Sequence, residues 1–170
     1  MKRLRGLLMR TQDGGASAVE FALVAPVLFL LLFGIIDYGL WFSDTLGVRQ
    51  GVREAARQGV VANFGTSSCT LSGATGDANS KALMCTAQDR IGATTGDPAI
   101  KVIAPNGWVR GAPLIVCAQV KDGISGIVPL PKGQVIQSKV EMSIENAVPG
   151  TQFSGGQETA PVGSDWSWCS

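Results

Sequence analysis

The pattern of apolar and polar positions divides the chain near residue 43. Before it, Phe21 to Ile36 runs sixteen residues without a charge, and the apolar stretch as a whole covers 27 residues, from Ala16 to Phe42. A helix rising about 1.5 Å per residue needs roughly 20 residues to cross a bilayer, so this stretch can span one. Glu20 sets a carboxylate near its start. A charge inside a membrane helix costs about 2.5–3.5 kcal/mol near the centre, which calls for a compensating partner or a position at the headgroups. Pro26 interrupts the run, removing one backbone hydrogen bond and crowding the carbonyl of Ala22, and so predicts a kink.

From Asp44 the period changes. Val48, Val52, Ala55 and Gly59 fall on one face of a helix, while Arg49, Arg53 and Arg57 form a second stripe at four-residue spacing. Like charges at that spacing repel by a few tenths of a kcal/mol per pair, and Glu54 can reach Arg57 to offset part of it. The stripe reads first as a solvated basic face, and otherwise as a contact for lipid headgroups or a neighbouring subunit. The two segments together predict one helix from about Ala16 to Ala62, roughly 70 Å long. Asn63-Phe64-Gly65 ends it.

Shorter elements follow. Thr66 to Asn79 is rich in Gly, Ser and Thr and reads as a loop. A helix is expected next, capped by Ser80, with Leu83, Ala87 and Ile91 on one face and Gly92 at its stop. Strands are expected at Ile100–Ile103, Leu114–Lys121 and Val135–Glu145, the last two separated by a connection containing Pro129-Leu130-Pro131. In the third strand Ile136, Val140, Met142 and Ile144 alternate with Gln137, Lys139, Glu141 and Ser143, the mark of a half-buried strand. A small antiparallel sheet could then cover the apolar stripe of the long helix, since neither buries its face alone. The fold class is α+β: a long N-terminal transmembrane and amphipathic helix with a small C-terminal antiparallel sheet. The organisation expected is residues 1–15 as a basic leader, 16–42 as the span, 43–62 as the amphipathic extension, 63–145 as a small α+β domain and 146–170 as a Gly-, Ser- and Pro-rich tail. Such a tail is disordered unless tethered.

Charge sets the orientation. The net charge is +1, but residues 1–15 carry Lys2, Arg3, Arg5 and Arg10 against Asp13, which leaves the remaining residues at −2. By the positive-inside rule the N-terminus is cytoplasmic and everything after Phe42 lies outside. The remainder is no nucleic-acid binder. A cleaved secretory signal is the rival reading; its apolar region is normally shorter and ends at a small-x-small site, whereas here the run ends in Asp37-Tyr38-Gly39-Leu40-Trp41-Phe42, with aromatic rings at interfacial height.

All four cysteines fall on the outer side, where disulfides persist. Of the three possible pairings, Cys69–Cys85 would clip the loop to the short helix and Cys117–Cys169 would pin the tail to a strand. The first closes a loop worth roughly 3 kcal/mol in the chain-entropy model. A metal site is the competitor, but there is no histidine and no C-x-x-C, so zinc would need four distant thiols. The lack of histidine also removes the commonest general base and any Ser-His or Cys-His pair. No phosphate-cradling G-x-x-x-x-G-K loop is present. The expectation is a non-enzymatic protein with no cofactor and no metal.

The order of basic leader, Gly15, four small or aliphatic residues, Glu20 and Phe21 before an apolar run resembles the class III signal of type IV pilins and pseudopilins. More narrowly, GASAVEFALVAPVLFLLLFGIIDYG resembles the opening of TadE-like proteins of the tight-adherence (Flp-type) pilus system, and GVREAARQGVV at residues 51–61 is similar to a further segment of that family. Ala16 departs from the aromatic or Met that usually opens mature pilins, and suits the narrower family. The resemblance covers about a quarter of the chain. It implies cleavage by a prepilin peptidase between Gly15 and Ala16, with Glu20 and Phe21 in the recognition and assembly segment, and a pilin-like helix-on-sheet fold. It also implies that Glu20 pairs with the freed amine of an adjacent subunit, and that the chain works with other pilus subunits, a membrane assembly platform and inner-membrane lipid. The D-x-S-x-S motif of larger TadG-like relatives is missing. The function implied is that of a minor pilin or pseudopilin in the bacterial inner membrane, able to enter a surface pilus. The alternative is a bitopic anchor that displays a binding domain and never joins a fibre.

Overall fold

A computed structural model describes residues 13–65, 69–121, 123 and 135–170. The leader cations Lys2, Arg3, Arg5 and Arg10 and the Pro129-Leu130-Pro131 connection lie outside them. Six elements follow in order: α1 (Asp13–Val60), α2 (Ala78–Ile91), β1 (Pro98–Ile103), β2 (Pro113–Lys121), β3 (Val135–Ser143) and β4 (Gly156–Gln157). The strands form one antiparallel sheet in the order β3-β2-β1-β4. The α+β class expected from the sequence is the one observed.

At 48 residues α1 extends about 72 Å, and the helix is unbroken through Pro26. Its far half builds the core. Val48, Val52, Ala55, Ala56 and Val60 are buried against Leu83, Met84, Ala87 and Ile91 of α2 and against Ile100, Val102, Leu114, Val116, Ala118 and Val120 of the sheet. The Arg49, Arg53 and Arg57 stripe faces away and is exposed. Close approach of the two helices depends on Gly51, where an added Cβ would stand 2.3 Å from Ile91 Cγ1 and 2.9 Å from the Ala87 carbonyl. Asp44, almost wholly buried, accepts bonds from the Thr95 N–H (3.1 Å) and hydroxyl (2.5 Å), tying α1 to the loop before β1.

Helix α1 ends two residues earlier than its pattern implied. Asn63 N–H reaches Gln58 O and Ala62 N–H reaches Gly59 O, the paired bonds of a Schellman cap, with Ala62 in the left-handed region at φ 58°. Strand β3 also stops at Ser143 rather than Glu145, because the Glu145 and Asn146 N–H groups turn away from the sheet to bond the Val60 carbonyl at the end of α1. The cap of α2 is Asp77, not Ser80. Its carboxylate accepts from Ser80 N–H and hydroxyl, and also from Ser154 N–H and hydroxyl. Partial burial pushes this carboxyl up, but the four donors outweigh that and hold it at about 2. Ser80 sits three residues in, where its side chain bonds the cap instead of being it.

The C-terminal segment is ordered by more than its cysteine. Gln157 and Gly156 pair with Lys101 and Val102 of β1, while Trp166 and Cys169 pack with Ala99, Ile115 and Cys117 as a second small core on the sheet face opposite α1. Strand β2 is therefore buried on both faces from Leu114 to Val120, which explains its continuous apolar run.

Candidate functional site

The residues singled out for processing and assembly all lie on the near half of α1. Gly15, Ala16, Glu20 and Phe21 are exposed on one continuous helix. A Cβ added at Gly15 meets nothing within 4 Å, so the fold itself makes no demand for glycine there. Glu20 stands one helical turn, about 6 Å along the axis, from Ala16.

The surface around these residues is almost entirely apolar. Phe21, Leu23, Val24, Val27, Leu28, Leu30 and Leu31 are each more than half exposed. The stretch has a mean hydropathy of 2.6 with hardly any of it covered by protein. A water-soluble chain does not leave so large a contiguous apolar surface bare; length and hydropathy match a single membrane crossing. The Phe29 and Phe33 rings stack at 6.2 Å along the helix, and Tyr38 and Trp41 meet at 5.7 Å near the end of the apolar stretch that leads into the folded domain. Aromatic residues with polar tips belong at that depth.

Asp37 escaped the sequence reading, where it marked only the end of the apolar run. Here it is 7% exposed, and its Oδ2 has no hydrogen-bond partner. The signal was present: an acid next to Tyr38 and one turn before Trp41, on the helix face that leads through Trp41 and Asp44 to Val48. Farther out, Arg57 grips Glu54 through two bonds of 2.9 Å, and Gln58 adds a third. Those donors hold the Glu54 carboxyl down at about 2. Arg49 and Arg53 have no such acid on α1.

Disulfides join Cys69 to Cys85 (S–S 2.02 Å) and Cys117 to Cys169 (S–S 2.06 Å). The first ties the loop after α1 to α2; the second holds the C-terminal segment on β2. Among the described residues no group of three or more His, Cys, Asp or Glu side chains is placed to hold a metal.

Fold and surface define a class: a small disulfide-bonded α+β domain carried on one long helix, half of it apolar and bare. Within that class, residues 15–57 match the family of TadE-like proteins. The match begins at Gly15 and ends at Arg57, taking in Glu20, Asp37 and the start of the buried stripe. No curated protein and no solved structure matches the chain. The TadE-like family implies a role in tight-adherence pilus systems.

Proposed function

We propose that this chain is a minor pilin or pseudopilin of a tight-adherence type IV pilus, acting by helix packing rather than by catalysis. In this reading a prepilin peptidase cuts between Gly15 and Ala16 on the cytoplasmic side of the bacterial inner membrane. Residues 16–42 then hold the protein in the bilayer with the disulfide-bonded domain outside. The observation that carries the proposal is the single helix that runs from the family-matched motif at Gly15, bare and apolar, into the core of the folded domain.

The mechanism follows from the cost of charge in lipid. Glu20 is exposed on α1 and, outside the headgroups, must find a cation or lose its charge. Cleavage after Gly15 creates an ammonium at Ala16, one turn away. The amine of the same chain lies on the exposed helix end, where water competes for it, whereas the amine of an adjacent copy packed in lipid would pair with this carboxylate and offset much of the desolvation cost. Assembly partners, the peptidase and the membrane platform would meet the chain on this face.

Expression with an active prepilin peptidase, followed by N-terminal sequencing, tests it. The mature chain should begin at Ala16, and Gly15→Arg should keep the leader without disturbing the fold, because the space around Gly15 is open. A chain that keeps Met1 beside an active peptidase counts against the proposal. Glu20→Ala separates this reading from a bitopic anchor: the pseudopilin loses assembly at normal protein levels, and the anchor loses nothing.

A further inference from the structure

Far along the chain from the processing motif, separate segments close around a cleft of about 660 Å³, within the roughly 300–1,000 Å³ usual for small-ligand sites. Its walls are the loop at Thr70 and Ser72, α2 at Gln88, the start of β1 at Asp97, the end of β2 at Lys121, and the C-terminal segment Glu158–Val162. Both disulfides tether these segments. Cys69–Cys85 braces the loop against α2, and Cys117–Cys169 braces the C-terminal segment against β2. Glu158, 2% exposed, links three walls: Oε1 accepts from Ser72 N–H at 2.8 Å and Oε2 from Ile100 N–H at 2.9 Å. A cleft whose walls are fixed in advance binds without a large ordering cost.

Its polar groups are unbalanced. Gln88 Oε1 is buried without a partner, and Gln88 Nε2 reaches the Thr70 carbonyl only at 3.5 Å, the outer limit of a hydrogen bond. This amide forfeits almost nothing by turning to a ligand. Beside the cleft, Gln119 is completely buried on β2, directly across from Ala99 and on the same face as Lys121, and neither of its amide atoms has a partner. Buried polar groups left unbonded are costly, so the Gln88 amide in the cleft wall calls for an outside partner, whereas Gln119 lies behind the wall with no surface a ligand could reach. Among the described wall residues the cation is Lys121, which already donates to the Val162 carbonyl at 3.0 Å. What the walls still offer is mainly acceptors, Gln88 Oε1 and the Asp97 carboxylate, beside carbon surfaces from Pro98, Ala99 and Pro161.

We propose that this cleft binds a neutral, hydroxyl-rich ligand, a saccharide unit, with hydroxyls donating to Gln88 and Asp97 and ring carbons resting on the proline and alanine surfaces. A bare cation would use the acid and ignore those surfaces. An apolar ligand would leave the Gln88 carbonyl unbonded.

Saturation-transfer NMR on the full chain in detergent micelles tests this, with D-glucose, D-galactose and N-acetyl-D-glucosamine as separate probes. At least one should receive saturation through its ring protons. Gln88→Leu should weaken that probe about five-fold, the worth of roughly one neutral hydrogen bond, whereas Gln88→Glu, which keeps an acceptor, should restore most of the affinity. Asp97→Asn keeps an acceptor but loses the charge assistance of that bond, and should weaken binding by no more than about ten-fold. A thermal melt on each variant checks that the fold is intact. No transfer to any of the three probes, or equal transfer in Gln88→Leu, would overturn the proposal. So would binding abolished by Asp97→Asn, which marks a site that reads charge.

Discussion

The two halves of α1 are one helix in two environments. From Ala16 to Leu40 large apolar side chains point in every direction and stay exposed, and Trp41 is the first to pack partly against the core; from Asp44 to Val60 a narrow stripe of small and β-branched residues is buried and the opposite face carries arginines. The backbone is the same helix throughout, so the difference lies in the side chains. Large residues all round suit a solvent of hydrocarbon. Glycine, alanine and valine on one face let α2 and the sheet approach closely, as at Gly51. Stability of the folded domain should therefore depend on the far half and membrane insertion on the near half.

Mirrored substitutions break that comparison most sharply. Val52 has no exposed surface, and Val52→Asp should cost the domain about 4–5 kcal/mol by burying an unpaired charge. Val27→Asp should leave the domain's denaturation midpoint unchanged and instead cost about 2.5–3.5 kcal/mol of membrane insertion. Chemical denaturation and a membrane-integration assay read the two effects separately. A domain destabilised by the Val27 change would show that the near half also serves the core.

Within the folded half, removing Cys117–Cys169 as the double alanine variant should cost about 4 kcal/mol, since the bridge closes a loop of 52 residues. Trp166 fluorescence should follow the release of the C-terminal segment. Acid exposes a smaller contribution. Asp77 is held at about 2, below its ordinary 3.8, so its stabilisation is present above pH 4 and is lost as the pH falls from about 4 to about 2. Discounted for its partial exposure, this amounts to about 1–2 kcal/mol. Asp77→Asn should flatten that part of the stability profile. The smallest effect is at the helix end, where Ala62 holds a positive φ that glycine adopts freely. Ala62→Gly should add about 0.5–1 kcal/mol.

How far these features were legible depends on whether their cause is local. The long helix, the face shared by Leu83, Ala87 and Ile91, and the alternation of β3 are carried by spacing alone, and they stand where the spacing put them. Asp77 and Ser80 both suit a cap, and the choice fell to Ser154, 77 residues away, which adds two donors to the aspartate. Glu158 and Trp166 lie in a Gly-, Ser- and Pro-rich stretch that reads as tail. Their burial comes from backbone groups of Ser72 and Ile100 and from a sheet face that no nearby residue announces. Asp37 was legible as an acid on the face that continues through Trp41 and Asp44 to Val48, but how deeply it is buried depends on what surrounds it.

The account rests most on the near half of α1 lying in lipid. Nitroxide labels at Leu31 and Arg49 of the bilayer-reconstituted chain, read by power-saturation electron paramagnetic resonance, test it directly. Leu31 should be open to oxygen and closed to a water-soluble nickel reagent, and Arg49 should show the reverse. A Leu31 label as open to the nickel reagent as Arg49 would contradict the membrane span and the function built on it.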